Sequence, residues 1–263
     1  MNKINGYCLC VLLVTLGITF FTRNDVRSVR DIASEVLQPP LQTELDDHGV
    51  IRFRRNDYAY ELTPVYGYEI CGLITSRINY SLFTIYKSEK TFPVDLCLIW
   101  GSNARNRIFG DPNVRFSQDC RFCWVQWSGQ KEFDFSEFSN NHLLTRDLSL
   151  EKKIKDLHAG DQVLLRGKLV NVRAKLLGKG GAYDAPEIAW NTSVTRSDNG
   201  AGACEVLYVE EVEILRKANR LSCLLFSGSA WGLFLWFLGN MICFIRGWIV
   251  VMKEAAELPE RPS

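Results

Sequence analysis

Histidine is scarce in this sequence: His48, His142 and His158 are the only three in 263 residues. The Cys-Arg-Phe-Cys motif at Cys120 and Cys123 stands alone, so a zinc site built on it would need its remaining ligands from those three imidazoles. No Gly-x-Ser-x-Gly stretch occurs, which excludes the strained strand-to-helix turn that lifts a serine into an α/β-hydrolase site. The glycine-rich run LLGKGGAY, residues 176–183, lacks both the P-loop spacing and a hydroxyl after its lysine, so it is no Walker-type phosphate cradle. An excess of one charge is missing too: 31 Lys and Arg face 30 Asp and Glu, a net +1. That balance gives no long-range attraction to nucleic acid. Internal repeats and low-complexity tracts are also absent, which excludes solenoids and compositionally disordered chains.

Two long runs without charge are present, Ile4 to Thr22 and Leu221 to Ile245. A membrane-crossing helix needs about 20 mostly apolar residues, and in lipid a helix satisfies its own backbone amides. Residues 1–22 are therefore expected to form a transmembrane anchor, 221–245 a second span, and 246–263 a short polar tail. The exit of the first run, TFFTRND, offers no small-x-small cleavage site, so a retained anchor is expected rather than a removed signal peptide. Trp231, Trp236, Arg246 and Trp248 mark the far part of the second run as interfacial. Two spans put both tails on one side and the middle on the other. Arg23, Arg27, Arg30, Arg216, Lys217 and Arg220 flank the middle, against Lys3, Arg246, Lys253 and Arg261 on the tails. That bias alone places the middle in the cytoplasm, whereas a short basic start ahead of an apolar run is the pattern of export. The expectation adopted is a multi-pass protein of a bacterial inner membrane with a periplasmic central domain. The central cysteines Cys71, Cys97, Cys120, Cys123 and Cys204 are compatible with an oxidising compartment.

Residues 23–50 read as a juxtamembrane spacer, helical through Val26, Val29, Ile32, Val36 and Leu37, capped by Asn24 and stopped by Pro39 and Pro40. From Ile51 the hydrophobic period falls to two, so 51–218 is expected to be one β-rich extramembrane domain. The nearly continuous VDLCLIW, Val94 to Trp100, fits a strand buried on both faces. Leu150, Ile154 and Leu157 form one helical stripe, with Ser149 as the expected cap and Gly160 as its left-handed stop. Two more strands, QVLLRGKLVNV and CEVLYVEEVEIL, are separated by a long glycine-rich connection with one short strand. Gly167 inside the first predicts a bend or bulge. Helix, Gly-Asp, then a bent strand resembles a pattern seen in oligonucleotide/oligosaccharide-binding (OB) barrels, one that any bent antiparallel sheet would share. The expected fold class is α+β, mainly β: an antiparallel OB-like barrel or sandwich between two transmembrane helices, with 158–215 as its OB-like part.

The series DLCLIWG, FSNNHLL, GDQVLLRG and NGAGACEVLYVE, between Tyr60 and Leu215, resembles a group of uncharacterised, membrane-anchored bacterial proteins. The resemblance implies a single module across those residues. It implies no activity and assigns no functional residue.

Were the chain an enzyme, His142 and Cys204 would make a thiol-hydrolase pair, with Asp161 or Asp198 orienting the imidazole. A redox dithiol at Cys120 and Cys123 is the alternative, but its strand-like surroundings lack the helix start that favours a thiolate. Ser139, Asn140 and Asn141 are expected turn and cap residues beside His142. The cysteines are expected to be structural, with Cys97 and Cys123 a candidate disulfide. Arg166, Lys168, Arg173 and Arg196 bring positive charge to the β-rich domain, with Tyr183 and Trp190 as stacking surfaces. Fitting ligands outside the cell are anionic glycan, lipid headgroups or a protein strand, and export would exclude nucleic acid. No metal or cofactor is expected. The resulting expectation is a non-enzymatic module, tethered to the bilayer at both ends and organising a partner there at raised effective concentration. Small residues in SGSAWG (227–232) and Gly239 favour a membrane-protein partner or self-association. The competing expectations are a membrane-anchored thiol enzyme and a nucleic-acid or glycan-binding OB-like module.

Overall fold

The change of hydrophobic period along the chain is matched by its elements. A computed structural model describes residues 3–81, 84, 87–119, 121–128, 132–179, 184–198 and 203–256. Helix α1 spans Lys3–Thr22. Short strands β1 (Leu41–Thr43) and β2 (Ile51–Arg55) precede the long β3 (Tyr58–Asn79). After β4 (Val94–Ile99) come a helical turn, α2 (Gly101–Arg105), and the hairpin β5 (Val114–Asp119) and β6 (Phe122–Trp127). Then follow β7 (Phe138–Leu144), α3 (Leu148–Lys155), β8 (Gln162–Leu176), β9 (Glu187–Trp190), β10 (Glu205–Arg216) and α4 (Arg220–Ala256). Contacts divide the chain into two units, residues 1–23 with 220–263, and residues 24–219.

In the first unit α1 packs on α4. Asn5–Thr22 and Arg220–Lys253 are long and apolar enough to cross a membrane. Helix α4 does not stop at Ile245 but continues through the expected polar tail to Ala256. Gly232 is where α1 comes close: a Cβ there would stand 2.8 Å from the Leu12 side chain, whereas Gly228 and Gly239 face open space. Gly232 thus serves the pairing of the chain's own two helices.

The second unit is mainly β, built on a large mixed sheet. The expected all-antiparallel arrangement is corrected at one place, where β7 and β10 run parallel. Pairing passes from β3 to β4, β7, β10, β8 and back to β3, so five strands drawn from residues 58–216 each have at least two neighbours, with β1 and β2 added on β3 and β9 on β8. Inside lie Leu96, Leu98, Leu143, Leu165 and Leu207, with Leu150, Ile154 and Leu157 of the α3 stripe packed on them. Asp147, not Ser149, caps α3, accepting from the amides of Ser149 and Leu150. At Gly167 a Cβ would stand 2.0 Å from the Tyr208 carbonyl oxygen. The register of β10 shifts opposite it, between Val209 and Glu211. This close backbone approach is what the internal glycine permits.

Strand β4 is buried along its whole length, and two further cores flank the ring. One holds Val29, Ala33, Val36, Ile99, Phe109 and Phe133. The spacer contributes there not as one helix but as two 3-10 turns, Val26–Ser28 and Ser34–Leu37, the first capped by Asp25 rather than Asn24. The other holds Tyr58, Tyr60, Phe92, Leu144, Val172 and Val206. Strands β2 and β3 meet in a two-residue turn at Asn56 and Asp57, whose φ values of 47° and 63° suit Asn and Asp.

Candidate functional site

Alternation along β4 and β7 sends Leu96 and Leu143 inward and Asp95 and His142 outward, directly opposite each other. Asp95 is wholly buried, and a lone carboxylate there would be prohibitively costly. Two cations hold it. Arg121 donates from Nη1 to both its oxygens at 3.0 and 3.1 Å, and His142 Nδ1 lies 2.9 Å from Oδ1. Neither ring nitrogen of His142 makes an aligned hydrogen bond, so the Asp95–His142 contact is one of charge. Burial opposes a charge on this imidazole, but the Asp95 carboxylate, with Cys204, outweighs it and raises the pKa to about 9. Phe92 and Trp190 close over the ring, with centroids at 5.3 and 5.0 Å.

Arg121 reaches this cluster from the turn of the β5–β6 hairpin, where its φ is +68°. Its guanidinium also donates to the Glu89 carbonyl and lies 3.9 Å over the Tyr80 ring. Asn140 donates to the Arg121 carbonyl at 2.6 Å and to Cys204 Sγ at 3.2 Å. A disulfide between Cys97 of β4 and Cys123 of β6 fastens the hairpin across this side of the ring. Burial also pushes the Tyr80 phenol above its ordinary range.

Cys204, His142 and Asp95 thus come together in the composition of a nucleophile, base and orienting acid. The two aspartates expected to orient the imidazole have other partners. Asp161 accepts from the amides of Ala218 (2.9 Å) and His158 (3.0 Å), fastening a turn, and Asp198 accepts from Ser193. The cluster is closed: His142 and Asp95 are 0% exposed and Cys204 4%. Ser139, Asn140 and Asn141 are not turn residues but lie inside β7. Cys123 is committed to Cys97, and Cys120 lies outside the described residues. Among the described residues no three His, Cys, Asp or Glu side chains are grouped as a metal would require.

The expected ligand-binding residues scatter. Arg166 pairs with Glu69 and Glu211, Lys168 with Glu210 at 3.6 Å, and Arg196 with Glu205. Trp190 is no open stacking platform, because it packs on His142. Tyr183 lies outside the described residues. Only Arg173 stands on an open basic surface. In the register β2–β3–β8–β9, Arg52, Glu61, Arg173 and Ala189 form one row, and Arg54, Ala59, Lys175 and Glu187 form a second row two residues away. Their side chains share the outer face, since Phe53 and Tyr60 between them point inward and stack at 4.7 Å. Arg52 pairs with Glu61 at 3.0 Å. A shallow cleft of about 590 Å³ lies over this face.

No protein-family model, curated protein or solved structure matches the chain. The sequence resemblance therefore transfers no residue role.

Proposed function

We propose that the chain is a non-enzymatic binding module of OB type, tethered by two transmembrane helices, that holds an acidic partner near the membrane on its oxidising, periplasmic side. The OB assignment is supported by the order of the ring. Counting β3, β4, β7, β8 and β10 as first to fifth, the order is first, second, third, fifth, fourth, with a helix between third and fourth. The oxidising side is supported by the Cys97–Cys123 bond. In OB domains the face of the second and third strands commonly takes the ligand. Here Arg121, Phe92 and Trp190 cover that face around His142, so the partner surface is the open sheet with Arg52, Arg54, Arg173 and Lys175.

The observation that carries binding over catalysis is the closure of the Cys204 cluster, which leaves a substrate no approach to the thiol. A thiol hydrolase is the second reading, favoured by the meeting of Asp95, His142 and Cys204. Complementation separates them. Cells lacking the chain receive full-length Cys204→Ala or a combined Arg54→Glu, Arg173→Glu and Lys175→Glu variant at matched protein level. The first is expected to restore function and the second to fail. The opposite pattern overturns the binding reading in favour of the enzyme.

A further inference from the structure

We propose that the cleft where both ends of the domain meet is a headgroup site for an anionic phospholipid; this rests on reading α1 and α4 as membrane spans. The cleft, about 240 Å³, is lined by Ser28, Arg30, Gln162, Arg216, Lys217 and Asn219, among others. It is smaller than the roughly 300 Å³ at which pockets for drug-sized ligands begin, and suits a phosphate-bearing headgroup better than a polymer.

Its frame is held by contacts within the domain. The Asn219 amide donates to the Asp25 carbonyl at 3.0 Å and accepts from the Ser28 hydroxyl. The Gln162 side chain, almost wholly buried, donates to the Asp31 carbonyl at 2.6 Å and accepts from the Ala33 amide at 2.7 Å. Onto this frame are set three exposed cations, Arg30, Arg216 and Lys217. Among the described residues none of the three has an ion-pair partner. Asp31 is the one carboxylate in the lining. The lining itself therefore carries an excess of positive charge, three cations to one carboxylate, while Glu35 and Asp161 act on Arg216 and Lys217 from outside it.

Chain connectivity selects the occupant. Lys217 is three residues before Arg220, the first residue of α4. Three residues span at most about 11 Å, so the ammonium group stays within reach of the level where a spanning helix leaves the headgroup layer. A cation held near that level meets lipid phosphates continuously. The basic residues that flank the domain thus have a use at the lipid surface that does not depend on steering insertion.

The test uses the full chain in neutral detergent, reading thermal unfolding while phosphatidylglycerol, phosphatidylcholine or inorganic phosphate is added. Phosphatidylglycerol is expected to raise the midpoint by several degrees, through preferential binding to the folded state. Phosphatidylcholine and inorganic phosphate at the same concentration are expected to leave it unchanged. Arg30→Gln, Arg216→Gln and Lys217→Gln combined are expected to abolish the response, with the lipid-free midpoint near wild type because all three side chains are exposed. Lys217→Gln alone is a milder second variant, expected to weaken the response several-fold. Arg54→Gln, Arg173→Gln and Lys175→Gln combined should keep it in full. An equal response to phosphatidylcholine or to phosphate, or an undiminished one in the Lys217 and triple variants, overturns the headgroup site. Alkaline carbonate extraction tests the anchoring separately: a chain that stays with the membrane yet ignores phosphatidylglycerol sinks this site alone, and a liberated chain sinks the span reading with it.

Discussion

Removing the Cys97–Cys123 bond gives a prediction whose size follows from the structure. The two cysteines are 26 residues apart in sequence, with Cα atoms 5.8 Å apart. Closing a loop of that length in the unfolded chain is worth about 3.5 kcal/mol at room temperature on the chain-entropy account. With a urea dependence of about 2 kcal/mol per molar, the midpoint should fall by roughly 1.5–2 M. The loss should be felt first in the β5–β6 hairpin, because β4 and β7 remain paired within the ring while the hairpin is a separate two-stranded sheet. Arg121, set at the hairpin turn, would then lose its fixed approach to Asp95. The assay is urea unfolding of the full chain in detergent, followed by tryptophan fluorescence, for wild type with and without reductant and for Cys97→Ala with Cys123→Ala. Reduction is verified by alkylation and mass. An unchanged midpoint after verified reduction would refute the argument that this crosslink stabilises the domain.

Other outcomes follow from the same contacts. His142 has a folded pKa raised from 6.5 to about 9. Its contribution to stability is therefore full below pH 6.5 and is lost as pH rises from there through about 9; it amounts to about 3 kcal/mol at most. His142→Leu should flatten the fall in unfolding midpoint over that window, and an equally steep fall in the variant would reject the charged imidazole. Asp95→Ala leaves Arg121 and His142 without their shared counter-charge and should cost about 3–5 kcal/mol, read as a lowered urea midpoint. Gly167→Ala forces a methyl group against the Tyr208 carbonyl and should destabilise by about 3 kcal/mol. If Gly167→Ala melts with wild type, β8 and β10 are not packed as described.

Much of the fold was legible where one physical demand dominates a stretch. VDLCLIW has no polar face to spare except Asp95, and β4 is indeed buried on both sides. The stripe Leu150, Ile154, Leu157 docks as its period requires. Gly167 marks a close backbone approach, as an isolated strand glycine should. Elsewhere tertiary contacts override local preference. Ser-Asn-Asn at 139–141 has turn chemistry, but its side chains find partners inside the sheet, Asn141 donating to Ser139 at 2.7 Å and Asn140 to the Arg121 carbonyl. The spacer keeps its apolar spacing yet spends it on separate turns that deliver Val29, Ala33 and Val36 to a core formed by distant residues. The parallel pairing of β7 with β10 has no local signature. At the site, Cys204 and His142 stood out in sequence, but Asp95 did not, although an aspartate within an apolar run signals a buried charge with a fixed partner. Arg121 was hidden because its role depends on a hairpin turn brought over β4 by the folded ring.

The clasp of Asn219 on Ser28 and Asp25 has a mechanical consequence. A pull applied through the two ends of residues 24–219 enters and leaves at neighbouring points, so the clasp and the nearby Gln162 contacts take the load while the five-strand ring is bypassed. Stretching the chain by its ends should first peel residues 24–37 and 216–219 from the domain at low force, leaving the ring to yield only later.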